Sequence, residues 1–196
     1  MIATILPAMS AGIPLSCQRG TTVVHDYGPI LDKIPVMRVL LINDTQEAQL
    51  AINGSYQITG GLTNIIDQGQ GLQKSKISVS NGGINIGNKR YDNSELRITG
   101  LRDGAIELNN IRYRGEIRIL QQFNNKFSVI EEVDIESFIS GVLGSEMPQT
   151  WNEEALRAQG VTARTYAMYK KKVRRNEVYH LDMLDLAYRG MSSESP

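Results

Sequence analysis

The sequence predicts an α+β fold, with an antiparallel β-rich N-terminal region followed by a two-helix segment. Three observations carry this. Apolar and polar residues alternate from about residue 34 to 127, Asn-Gly and Gly-Gly signals punctuate that stretch, and after Val129 the apolar period lengthens to that of a helix. In order, Pro35-Val36-Met37-Arg38-Val39-Leu40-Leu41-Ile42 is a β-branched run closed by Asn43-Asp44. Residues 49–58 alternate about Asn53-Gly54, which predicts a hairpin there. Residues 67–73, rich in Gly and Gln, predict a loop. Lys76-Ile77-Ser78-Val79-Ser80 and Ile84-Asn85-Ile86 flank Asn81-Gly82-Gly83, a second hairpin. Further alternating runs lie at 96–98, 105–108, 111–119 and 126–130. Their polar alternate positions give each strand one wet face, the mark of antiparallel meanders.

Asp134 caps a first helix in which Ile135, Phe138, Ile139, Val142 and Leu143 form one apolar stripe, and Gly144 is its expected end. Asn152 caps a second, with Glu153 and Glu154 at its positive end, running to about Val173. Lys170, Lys171, Lys172, Arg174 and Arg175 complement its negative end. They read as a solvated basic tail or, less simply, as a site for an anionic partner.

The 196 residues allow one large domain or two small ones. With 21 Lys+Arg against 21 Asp+Glu the chain is neutral, which argues against nucleic-acid binding by bulk charge. Charge nonetheless reverses along the chain. Seven acids and no base lie between Lys126 and Arg157, and seven bases and no acid from Arg157 to Arg175. One Cys and two His, His25 and His180, exclude an intramolecular disulfide framework and the usual zinc spacings, so no metal and no cofactor is expected. The N-terminal stretch through Cys17 is apolar, rich in small residues and uncharged before Arg19. It reads as the core of an export signal without its basic leader, with Cys17 after Pro14-Leu15-Ser16 as an imperfect lipid-anchor site, or else as an ordinary buried or disordered segment. It is too short and too interrupted by Pro and Gly to span a membrane.

One residue focuses the chemistry. Glu146 falls in Gly144-Ser145-Glu146-Met147-Pro148, a turn between the helices, near Met147 and Trp151 and among other acids. Desolvation and like charge would both raise its pKa, which suits a general acid near neutral pH; solvation or capping of the next helix is the plainer alternative.

Val129-Ile130-Glu131-Glu132-Val133-Asp134-Ile135-Glu136-Ser137-Phe138-Ile139-Ser140-Gly141-Val142-Leu143-Gly144-Ser145-Glu146-Met147-Pro148, followed by Trp151-Asn152-Glu153-Glu154-Ala155-Leu156-Arg157-Ala158-Gln159-Gly160-Val161-Thr162-Ala163-Arg164-Thr165-Tyr166-Ala167, resembles the SpoIID/LytB domain of the stage II sporulation protein D family of peptidoglycan lytic transglycosylases. Tyr113-Arg114-Gly115-Glu116-Ile117 and Tyr188-Arg189-Gly190, with Glu194 beyond, resemble its flanking motifs. The chain then divides into a signal- or lipoprotein-like segment and linker (1–33), a β-rich region (34–104) and a SpoIID-like two-helix catalytic region (105–196).

The resemblance implies cleavage of peptidoglycan glycan strands, preferably stripped of peptides by an amidase, to 1,6-anhydro-N-acetylmuramic acid products by one glutamate, Glu146. The setting it implies is the cell envelope, in sporulation or division. Ser145, Gln159, Arg164 and Tyr188 are the supporting positions. Gln159 would bond sugar or the Glu146 turn; Arg164 would orient Glu146 or a lactyl carboxylate, or pair with another acid; Tyr188 would donate to saccharide or Glu146. Thr165 and Tyr166 read as packing, and Trp151 as a staple for the second helix or as a sugar-stacking ring. The chain departs from the pattern at Leu186, where the family commonly has glutamine. It also departs in having His180 without a nearby Cys, so no zinc is expected, and in stopping at Pro196, short for the family: either this is a short or C-terminally truncated form, or a partner supplies the far wall of the cleft. A catalytically weak peptidoglycan-binding or amidase-enhancing protein is the alternative.

Overall fold

The computed structural model describes residues 34–61, 64–80, 82–102, 104–147 and 150–193. Cys17, Asn81, Pro148 and Glu194 lie outside the described residues, and with them the export-signal and lipid-anchor readings. The alternation seen in the sequence becomes one eleven-stranded sheet. Its strands are β1 (Val36–Thr45), β2 (Glu47–Gly60), β3 (Asn64–Ser80), β4 (Gly83–Ile86), β5 (Lys89–Tyr91), β6 (Glu95–Gly100), β7 (Ala105–Leu108), β8 (Ile111–Tyr113), β9 (Glu116–Gln121), β10 (Phe127–Asp134) and β11 (Leu181–Asp182). The α+β class holds, with helices α1 (Ile135–Glu146) and α2 (Glu153–Val173) after the sheet-forming run and a 3-10 turn at Gly190–Ser193.

The spatial order is β11-β1-β10-β9-β6-β2-β3-β4-β5, with β7 pairing β2 and β8. Every pairing is antiparallel except β1 with β11. Strands from 34–104 and from 105 onward therefore share one sheet: β1 runs beside β10, β2 beside β7, and β6 beside β9. The inward positions, among them Met37, Val39, Leu50, Ile58, Ile77, Leu96, Ile98, Ile117 and Phe127, form the core. Each such fully buried side chain stabilises the fold by about 1.5–3 kcal/mol relative to exposure.

Two local expectations fail for one reason. Asn53-Gly54 makes no hairpin: β2 continues through it, and pairing with β3 steps from Asn53↔Gly71 to Tyr56↔Gly69, a bulge at which Gly54 takes φ +94°. Residues 67–73 are likewise strand and not loop, paired along β2 from Asp67 to Leu72. Their Gly and Gln residues suit the exposed flank of β3, where few side chains have a core to enter.

Beside the sheet, α1 buries Ile135, Phe138, Ile139, Gly141 and Val142, the predicted stripe apart from Leu143, which is partly buried. By contrast α2 buries only Gly160, Ala163 and Ala167. Small residues there let its backbone approach closely, and the long side chains of its other faces stay available. Among the described residues no helix is long and apolar enough to cross a membrane.

A candidate active site at the end of the first helix

Asp134 caps α1 as expected, accepting from the Ser137 N–H at 2.9 Å. The other end differs from expectation. Gly144 does not stop the helix, so Glu146 is its last residue and not part of a turn. Met147 takes the extended conformation (φ −123°, ψ 131°) that a following proline favours, while its N–H still bonds Leu143 O at 3.0 Å. No basic residue occupies the last turn. The carboxylate thus stands at the carbonyl end of a helix, where a donor must come from elsewhere.

That donor is Gln159. Its Nε2 donates to Glu146 Oε2 at 2.7 Å, joining the two helices, and no other hydrogen bond to Glu146 occurs among the described residues. On the neighbouring residue, Ser145 Oγ donates to Ala187 O at 2.6 Å, with Val142 O in reach at 2.9 Å. This ties the end of α1 to the 183–188 turn, where Tyr188 N–H bonds Met183 O at 2.8 Å. Glu146, Ser145 and Gln159 are therefore one cluster, and Glu146 and Gln159 are only partly buried.

The other predicted residues lie elsewhere. Arg164 pairs with Glu136 and not with Glu146. Residues five apart on a helix are about 140° apart around it, so Arg164 and Gln159 occupy different flanks of α2. Tyr188, expected to meet saccharide or Glu146, is buried at 2% exposure. Its ring stacks at 4.8 Å from Phe138 and 6.4 Å from Tyr113, and its hydroxyl bonds Glu131. Gly141 makes room for it: a Cβ there would stand 2.6 Å from Tyr188 Cε2 and 2.7 Å from Gly190 O. Trp151 is 52% exposed, whereas Tyr166 and Leu186 pack against the core.

The buried acid of the region is one that motif reading passed over. Glu131 on β10 is fully buried, accepts from Gly115 N–H at 3.0 Å, and keeps Oε2 without a partner. Burial pushes its carboxyl up to about 7, against the lowering effect of the bonds from Gly115, Tyr188 and Arg114. A signal was present, since Phe127, Val129, Glu131 and Val133 share one parity in a strand and hence one apolar face. His180 is also buried. Its Nδ1 accepts from Arg38 N–H at 3.1 Å, and desolvation, with Arg38 and Lys171 nearby, lowers it to about 4. No cluster of three or more potential metal ligands occurs among the described residues.

Comparison with known proteins places part of the chain in a family. Residues 123–196 match the family model SpoIID, Stage II sporulation protein. The SpoIID family is one of sporulation and cell-wall proteins and is associated with peptidoglycan-lytic activity. Similar curated proteins are an uncharacterized protein of Brachyspira hyodysenteriae, 31% identical over 68% of this chain and 36% of its own, and one of Chlamydia muridarum, 30% identical over 80% and 55%. A third, from Chlamydia pneumoniae, is 30% identical over 80% and 58%. The chain thus spans between about a third and three fifths of the length of these relatives. No solved structure matches it.

Proposed function

We propose, from the match of residues 123–196 to the SpoIID family model, that the protein is a peptidoglycan lytic transglycosylase with Glu146 as its acid and base. The observation that carries this reading is the Gln159 Nε2 to Glu146 Oε2 bond of 2.7 Å, which aims a partly exposed carboxyl from the end of a rigid helix and leaves Oε1 for substrate. The reaction needs one carboxyl in two states. As the acid, Glu146 gives its proton to the glycosidic oxygen while the bond from C1 of N-acetylmuramic acid breaks. As the carboxylate, it takes the proton of the C6 hydroxyl while that oxygen bonds C1, so the 1,6-anhydro ring closes without an activated water or a second carboxylate. The Gln159 amide serves both states, donating through nitrogen to the carboxylate and accepting through oxygen from the acid. Ser145 holds the helix end against the 183–188 turn, and the exposed Trp151 offers a ring face to a sugar.

The same reading places the protein in the cell envelope after export, acting on strands that an amidase has stripped. Incubation with amidase-treated peptidoglycan is expected to release anhydromuramoyl fragments detectable by mass spectrometry, and Glu146→Gln to abolish them. Their absence from the wild-type reaction would refute the activity, and equal yield from Glu146→Gln would refute the site. A second reading, glycan binding without cleavage, draws on a cavity of about 520 Å³ in the β-rich half. Asn53, Gln70, Gln73, Lys74, Glu107 and Arg112 supply hydrogen-bonding groups there. Retention of the protein on peptidoglycan with no fragments released is the outcome that selects it.

A further inference from the structure

Where α2 ends against β1, four cations surround a concavity. Arg38 of β1, Lys171 in the last turn of α2, and Lys172 and Arg175 beside it line a cavity of about 450 Å³. Helix-dipole complementarity accounts for lysines at the carbonyl end of α2, but neither for Arg38, which comes from a strand, nor for the hollow between them. Among the described residues Glu132 is the one carboxylate of the lining, and its Oε1 already accepts from Arg118 Nη1 at 2.8 Å. His180, also in the lining, is held neutral by burial and by its cationic neighbours.

The cations themselves lean on neutral groups. Arg38 Nη2 donates to the carbonyls of Arg175 and Glu177 at 3.0 and 2.7 Å, and its Nε is buried without a hydrogen-bond partner. Lys171 Nζ donates to Val36 O at 2.6 Å. Lys172 of α2 and Arg175 just beyond it form no ion pair among the described residues, whereas Arg157, Arg164 and Lys170 of α2 all do. Fold stability alone gains nothing from gathering unpaired like charges, so the arrangement suits an anion taken from solution.

We propose that this cavity binds a phosphate ester, with Arg38, Lys171, Lys172 and Arg175 around the phosphate. Converging guanidinium forks and ammonium groups match an anion with several acceptor oxygens better than a single carboxylate. The volume exceeds what a bare ion fills, and Val36 and Met168, 43% and 40% exposed, give the organic part an apolar wall. The site is separate from Glu146. Lys171 lies twelve residues beyond Gln159, about 18 Å along α2 and about 120° around it. Two sources share this chemistry, a soluble phosphate ester and a phospholipid headgroup.

The test uses the full chain at constant ionic strength. Glycerol 3-phosphate is titrated while backbone amide resonances of 171–175 are followed, and sedimentation is measured with phosphatidylglycerol and with phosphatidylcholine vesicles. Saturable shifts are expected, with Lys172→Gln/Arg175→Gln binding at least about tenfold more weakly. Both side chains are exposed, so the fold should tolerate the change, checked by an unaltered melting temperature. Glu146→Gln and the surface control Lys76→Gln should bind as wild type, which separates this site from the proposed activity. Capture by phosphatidylglycerol vesicles, lost in the double variant, would identify the headgroup as the source. Shifts without vesicle capture would identify a soluble ester. No saturable response to either probe, or an undiminished response in the double variant, would overturn the proposal.

Discussion

Replacing Glu131 by glutamine should remove a pH dependence that burial has built into the fold. The folded protein holds this proton up to about pH 7, whereas the unfolded chain releases it near the ordinary value of 4.5. Because the folded state binds more protons between those limits, stability is greatest below 4.5 and falls as pH rises through about 7. That gap, at about 1.4 kcal/mol per pH unit, amounts to about 3 kcal/mol. His180 acts in the opposite sense. Its folded value of about 4 lies below the ordinary 6.5, so its contribution is present above 6.5 and lost as pH falls toward 4. The two effects oppose each other between about 4.5 and 6.5 and flatten the wild-type profile. The difference between wild type and Glu131→Gln cancels the His180 effect, since both proteins carry it. Glutamine keeps an oxygen for the Gly115 N–H and cannot ionise. Urea unfolding at intervals from pH 4.5 to 8 should therefore show the variant gaining on wild type as pH rises, by up to about 3 kcal/mol at pH 8. Parallel profiles across that range would refute the assignment of a buried, titrating Glu131.

Two further outcomes test the site and its support. Gly141→Ala would drive a methyl group into the Tyr188 ring and the Gly190 carbonyl, and should cost about 1–3 kcal/mol in urea unfolding. Gln159→Ala should lower kcat on amidase-treated peptidoglycan at least about tenfold, while Arg164→Gln, which breaks only an exposed pair with Glu136, should leave kcat near wild type and cost less than about 1 kcal/mol of stability; equal losses in kcat would contradict the separation of the two residues.

Much of the fold was legible locally. Period-two runs became strands, and Asp134 and Asn152 cap their helices as their side chains predict. The Ser80↔Gly83 pairing forms at the second Gly-rich signal. At Asn53-Gly54 and at 67–73 the local preference lost, because pairing along two long strands satisfies more backbone groups than a turn would. Glu146 moved from turn to helix end because the preceding glycine remains compatible with a helix, and only the constraint of Pro148 on Met147 ends it.

The sequence by itself determined the α+β class, the helix starts and the SpoIID motif, since these depend on spacing and residue type within one stretch of chain. Only the tertiary structure decided which groups meet. Gln159 reaches Glu146 while Arg164 turns away to Glu136, Tyr188 goes inward to Glu131, and Arg38 joins the lysines of α2 from more than a hundred residues away. A helical period places side chains around one axis, but not the neighbouring elements they face. Contacts between distant segments arise only when the sheet and helices pack, and the partners of each charge are settled there.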